Sequence, residues 1–211
     1  GFSEEQAKFL RAELLEVPDR VAALCKSENC DLLLLAGDLF DGDYTRESLV
    51  AVQTALKEVG IPVFIAPGNH DFVTPGSIWL TEVWPENVTV FTENQVKSLV
   101  LEGLDCTIYG AAFTSMDCPG LLEGFRASHT TRYGIGIFHG DPTMVSSAYN
   151  PITQTQIRQS GLDYLALGHY HSYSSERLDD RLTAVYCGTP EGRGFDESGK
   201  KGYSLIEVTD G

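Results

Sequence analysis

A chain of 211 residues with 42% apolar side chains can bury one full α/β core, and a second domain is not required. Its formal charge of −15 argues against a general nucleic-acid-binding surface, because non-specific affinity for phosphates comes from Lys and Arg; a polyanionic substrate would need bound divalent metals or a basic partner to overcome that field. No run of about eighteen apolar residues marks a membrane span, and Gly1-Phe2-Ser3-Glu4-Glu5 lacks the basic-then-apolar pattern of a signal peptide.

Ser3 followed by Gln6 is a capping-box pattern ahead of Leu10, Leu14, Val17, Val21 and Leu24, which recur at helical spacing; Pro18 inside this run predicts a kink or a split. Residues 31–36 and 61–66 are short apolar runs bounded by Gly and Pro, and read as fully buried strands. Between them, residues 44–60 carry Leu49, Val52, Leu56 and Val59 at helical spacing. Strand, helix and strand make a right-handed crossover, so the two strands are parallel and adjacent. Farther on, residues 87–91, 97–101 and 106–111 read as strands, with Glu102-Gly103 as a turn. Trp79 and Trp84 read as core or rim packing. Residues 133–138 form the next apolar strand, 152–160 a polar helix and 163–167 a buried strand; 183–187 and 203–208 close the fold around a glycine-rich loop over 188–199. The five cysteines (Cys25, Cys30, Cys106, Cys118, Cys187) form no C-x-x-C pair, which reads as buried thiols in a reduced, cytoplasmic setting.

Four of the buried strands end in metal-competent residues: Asp38 and Asp41; Asn69, His70 and Asp71; His139 and Asp141; His169 and His171. In parallel α/β sheets ligands bind outside the carboxyl ends of the strands, so these residues converge on one volume by topology. A lone histidine at a strand end is ordinarily a hydrogen-bonded side chain. Four such strand ends, leaving only His129 of the five histidines elsewhere, are not explained that way. Carboxylate, amide oxygen and imidazole together suit manganese, iron or zinc, and the absence of cysteine argues against a structural zinc site. Two neighbouring ions form the usual clamp for in-line displacement at phosphorus.

Gly37-Asp38-x-x-Asp41, Gly68-Asn69-His70-Asp71, His139-Gly140 and Gly168-His169-x-His171, in that order, resemble the calcineurin-like metallophosphoesterases. Within that superfamily, Gly37-Asp38-Leu39-Phe40-Asp41 and the tail from Tyr186 through Gly188-Thr189-Pro190-Glu191-Gly192-Arg193-Gly194-Phe195-Asp196-Glu197 resemble the SbcD- and YhaO-type DNA repair exonucleases. The resemblance implies a four-layer α/β/β/α sandwich of two mixed sheets, here without its first strand, as one metallophosphoesterase domain over residues 1–211 with no C-terminal DNA-capping domain. It implies two divalent ions, manganese first, with iron or zinc as alternatives. Asp38 would bridge them, Asn69, His139 and His169 would complete one ligand set, and His171 would bind the second ion. His70 would stand at the scissile phosphate and assist attack of a metal-bound hydroxide. Asp71 would orient His70, while Asp41 and Asp141 would fix imidazole tautomers or act as turn residues. Expected partners are DNA, an SMC-like ATPase and a second copy of the chain, with no membrane.

One departure matters: the family's first Asp-x-His motif does not occur before Asp38, which leaves the second ion only Asp38 and His171 and points to further residues ahead of those given. Three readings follow. The first is a two-metal DNA exonuclease, the second a phosphodiesterase for small nucleotide-type esters, and the third a metal-depleted scaffold that binds partners without catalysis. A protein Ser/Thr phosphatase fits less well, because that branch carries Glu where this chain has Asp71.

Overall fold

The computed structural model describes residues 3–42, 44–128, 130–192, 197 and 199–209. His129 and residues 193–196 of the glycine-rich tail lie outside these described residues. The first element, α1 (Glu4–Ser27), opens on the expected capping box: the Ser3 hydroxyl accepts from the Gln6 N–H, and the Gln6 side chain accepts from the Ser3 N–H. The helix runs unbroken through Pro18, contrary to the expected kink or split. A proline removes one N–H from the helical ladder, here the one that would reach the Leu14 carbonyl, and the Arg20 guanidinium donates to the neighbouring Glu13 carbonyl at 3.0 Å.

Strand β1 (Leu33–Leu35), helix α2 (Arg46–Val59) and strand β2 (Val63–Ile65) form the expected crossover, with β1 and β2 parallel and Leu34 opposite Phe64. Helix α2 is capped by Thr45 and Ser48 and ends at Gly60, whose φ of 73° lies in the left-handed region that glycine enters without strain. The short helix α3 (Ile78–Thr81) precedes β3 (Val88–Val90), which adds to β2 in parallel and completes a three-stranded sheet.

The second sheet is built from β4 (Lys97–Leu101), β5 (Cys106–Gly110), β6 (Tyr133–His139), β7 (Tyr164–Gly168), β8 (Ser174–Arg177) and β9 (Thr183–Tyr186), in the order β4-β5-β6-β7-β9-β8. Its four central strands are parallel, and β4 and β8 run antiparallel at the two edges. Helix α4 (Gln154–Gln159) connects β6 to β7.

Alternation along the strands sorts the core into three clusters and so defines four layers. Val63 and Ile65 face α1 and α2 with Leu49, Val52, Leu56 and Val59. Phe64 and Ala66 face the other way and meet Ile108, Ile135, Ile137, Tyr164, Ala166 and Val185 between the two sheets. The far side of the larger sheet, through Tyr109, Phe138, Leu165 and Leu167, packs on Leu122, Ile152 and Ile157. The α/β/β/α sandwich of the sequence reading is this arrangement, with the smaller sheet wholly parallel and the larger one mixed.

Two strand assignments change. Residues 203–208 form no ladder among the described residues; Leu205 is 58% exposed, and only Val208 reaches the layer between the sheets. A β-prone run becomes a strand only where an edge accepts it, and this one pairs with none. Conversely, β8 has no apolar alternation and is exposed throughout, yet it pairs over its whole length with β9. No described helix is long and apolar enough to cross a membrane, and all five cysteines are free thiols.

Candidate metal centre

Four strand ends supply the site. Beyond β1 the chain turns through Asp38, which adopts φ 52°, a left-handed conformation costly for a residue with a Cβ. Asp71 holds that turn in place. Its carboxylate, only 9% exposed, accepts N–H bonds from Asp38 (3.2 Å), Leu39 (2.8 Å), Phe40 (3.2 Å) and Gly68 (2.7 Å), stitching the loop after β1 to the loop after β2. Burial, and then the neighbouring Asp38 charge, push the Asp71 carboxyl up to about 6, against the pull of the Gly68 and Phe40 N–H bonds. Asp71 therefore shapes the Asp38 turn and does not orient His70. Trp79 closes over this latch: it donates to the Asp71 carbonyl and stacks on Trp84 at 5.1 Å, so both tryptophans are packing residues.

The two loops approach so closely that only glycine fits between them and β6. A Cβ at Gly68 would collide with the Asp38 carboxylate and the His139 ring, and one at Gly168 would collide with the Ala36 carbonyl. The glycines of the motifs are thus spacers that let four strand ends meet.

His139, at the end of β6, is 1% exposed. Its Nδ1 lies 2.8 Å from the Ala36 carbonyl, an oxygen that can only accept, so Nδ1 carries a proton and Nε2 is the ring nitrogen left to face the site. Nε2 lies 3.0 Å from Asn69 Oδ1 and 3.2 Å from Asp38 Oδ2. The Asn69 amide nitrogen points to Met116 Sδ at 3.9 Å, which turns the amide oxygen toward the histidines. His169 completes the group: its Nδ1 is 3.1 Å from Asn69 Oδ1, and its backbone sits at φ 91°. The ligand atoms of Asp38, His139 and His169 all lie within 4.8 Å of one another. A carboxylate, an amide oxygen and two imidazoles converging this closely are a ligand set that could hold a divalent cation, and the carbonyl behind His139 is the kind of partner that fixes a metal-bound imidazole.

The charges agree. Burial alone would raise the Asp38 carboxyl, but its hydrogen bond to His139, the His139 charge and the His70 N–H hold it below the usual carboxylate range. Burial, then the charge of His139, lowers the His169 imidazole and favours its neutral, ligating form.

Two expected residues stand apart from this cluster. His171 is turned to Glu197, with Nδ1 2.7 Å from Glu197 Oε1, and it is not grouped with Asp38, His139 and His169. His70 is half exposed at the mouth of the site and pairs through Nδ1 with Asp41 Oδ1 at 2.9 Å, while its N–H donates to Asp38 Oδ1 at 2.9 Å. Asp141 serves a local turn, accepting from the Thr143 N–H and hydroxyl at 2.7 and 2.6 Å. Sequence reasoning passes over Asn150, which is fully buried, donates to the His139 carbonyl at 2.7 Å and accepts from the Leu121 N–H at 2.6 Å. It also passes over Tyr149, whose ring lies 5.4 Å from that of His169. The only cue to either is the Asn150-Pro151 turn dipeptide.

This chain belongs to the calcineurin-like phosphoesterases, whose family profile matches residues 10–173, a span that covers all four strand ends. Among curated relatives, the uncharacterized metallophosphoesterase YhaO of Bacillus subtilis (strain 168) is 35% identical over 201 residues, covering 87% of this chain and 47% of that protein. The DNA double-strand break repair protein Mre11 of Saccharolobus solfataricus is 23% identical over 210 residues, covering 92% of this chain and 54% of that protein. The chain thus spans about half the length of the curated relatives it matches. Among solved structures, TT1561 of Thermus thermophilus shares the fold, with a TM-score of 0.53 at 16% identity over 82% of this chain and 84% of that one.

Proposed function

We propose that the chain is the metal-binding part of a phosphodiester hydrolase acting on DNA as an exonuclease. The observation that carries this reading is the convergence of His139 Nε2, Asn69 Oδ1 and Asp38 Oδ2, closed by His169. Those four residues would hold one divalent ion, manganese first, and Asp38 and His171 would contribute to a second. Bound ions supply positive charge to the phosphate oxygens and lower the pKa of water. Asp38, in a strained turn held by Asp71, would be shared by the two ligand sets. His70 keeps its Nδ1 proton on Asp41 and so presents Nε2 to the substrate, where it donates to the leaving oxygen or to developing charge. Glu197 plays the corresponding part for His171. DNA as the substrate is supported by the similarity to Mre11 and by the tail that includes Glu197; an SMC-like ATPase and a second copy of the chain are the expected partners. A small phosphodiester is the second reading, favoured by the net charge of −15.

The test is manganese-dependent release of nucleotides from linear DNA, beside hydrolysis of a small chromogenic diester, by the protein and by His70→Ala. Nucleotide release that falls about 10²–10⁴-fold in His70→Ala is the expected result. Hydrolysis of the small diester with none of DNA would replace the nuclease by the phosphodiesterase. Hydrolysis of neither would leave the metal-depleted scaffold.

A further inference from the structure

Two residues beyond His169, His171 borders a cleft of about 270 Å³ whose other lining residues are Ser172, Tyr173, Gly199, Lys200 and Lys201. Its two walls come from segments distant in sequence and are tied together at several points. Lys201 Nζ donates to the His171 carbonyl at 3.4 Å and stands 3.7 Å from Glu197 Oε2, while the other oxygen of Glu197 holds His171. The Gly202 N–H donates to the Thr189 carbonyl at 3.2 Å, anchoring the lysine segment to the strand-end loop beyond β9. Beneath the first wall, Gly188 at φ 73° lets residues 171–173 lie close: a Cβ there would come within 3.0 Å of the Tyr173 nitrogen and 3.1 Å of the His171 carbonyl.

Acidic residues outnumber basic ones by 30 to 15 along the chain, yet two consecutive lysines border this cleft. Lys200 is exposed, whereas the Lys201 side chain is 15% exposed and partly neutralised by Glu197. Tyr173, which lines the same cleft, is 63% exposed, so its ring is open to a ligand. A local cationic pair in a negative field selects an anion, and an open aromatic face beside it suits a planar base, since stacking on aromatic side chains accepts any base.

We propose that this cleft is a nucleotide subsite, in which Lys200 and Lys201 receive the phosphate next to the scissile one and Tyr173 stacks on the attached base. His171 lines this cleft and follows His169 of the cluster by two residues, so a strand bound at both would have its neighbouring nucleotide held here. The inference rests on reading the cluster as a phosphodiester centre, and it names the group that such a centre would grip.

Equilibrium dialysis of deoxyadenosine monophosphate, deoxyadenosine and inorganic phosphate against the metal-free protein in chelator tests it without any turnover. The nucleotide is expected to bind several-fold more tightly than either of its parts. Lys200→Gln should weaken both nucleotide and phosphate about tenfold, whereas Tyr173→Ala should weaken the nucleotide alone to the level of phosphate. Lys57→Gln, an equal change of charge on helix α2, should alter nothing. Equal losses in Lys200→Gln and Lys57→Gln, nucleotide binding unmoved by Lys200→Gln and Tyr173→Ala, or no binding of the nucleotide at millimolar concentration would each overturn the subsite. Lost nucleotide binding with intact diester hydrolysis would remove the subsite and leave the proposed function standing. Intact binding with no hydrolysis would do the reverse.

Discussion

His139 offers its Nε2 to the centre because the Ala36 carbonyl occupies its Nδ1, and Asn150 holds its own carbonyl from behind. Side-chain patterns in a sequence show which histidine ends a strand; they do not show which backbone oxygen will choose its tautomer. Asp38, Asn69, His139 and His169 are therefore legible as a set, because four strand ends of a parallel fold converge, whereas Asn150 is not. Asp71 illustrates the same limit. Its sequence position suggests a partner for His70, yet its carboxylate serves four backbone N–H groups, and such bonds are invisible until the two loops are juxtaposed. Asp71→Ala should leave these buried donors unpaired and cost about 3 kcal/mol or more of stability. Urea denaturation measures this; a loss below about 1 kcal/mol would mean that the Asp38 turn holds without it.

At the scale of elements, apolar runs bounded by glycine locate β1, β2, β6 and β7 because those strands are covered on both faces, where burial writes itself into the sequence. Strand β8 carries no such pattern, since it is made by its neighbour β9 and by the turn that joins them. In that turn the Asp179 carboxylate accepts from the Arg181 and Leu182 N–H groups at 2.8 and 2.7 Å. These backbone bonds, that to Leu182 first, hold the Asp179 carboxyl below its ordinary 3.8. A carboxyl depressed by folding contributes stability that is present above its unfolded value and lost as pH falls through its folded one. Asp179→Ala should therefore lower stability at pH 7, by an amount that solvent screening of this exposed group keeps below about 1 kcal/mol, and the difference from the unsubstituted protein should shrink as pH falls below 3.8. Urea midpoints across that range check both statements; a gap that widens in acid would contradict them. Residues 203–208 fail as a strand for the complementary reason, that propensity without a receiving edge makes no ladder.

Across the whole molecule, the layered core follows from strand alternation, and the site follows from closing two sheets against each other until glycine alone separates their ends. That closure places a cluster of candidate cation ligands on a chain of formal charge −15, where a bound metal would offset the negative field met by an anionic phosphoester. Manganese binding tests the centre most directly. Calorimetric titration of the protein should show a site that Asp38→Asn, which keeps the shape and removes the charge, weakens about a hundredfold or more, since even partners that only orient metal ligands are worth 10–100-fold. Manganese affinity unchanged in Asp38→Asn would contradict the assignment of this cluster as the metal centre.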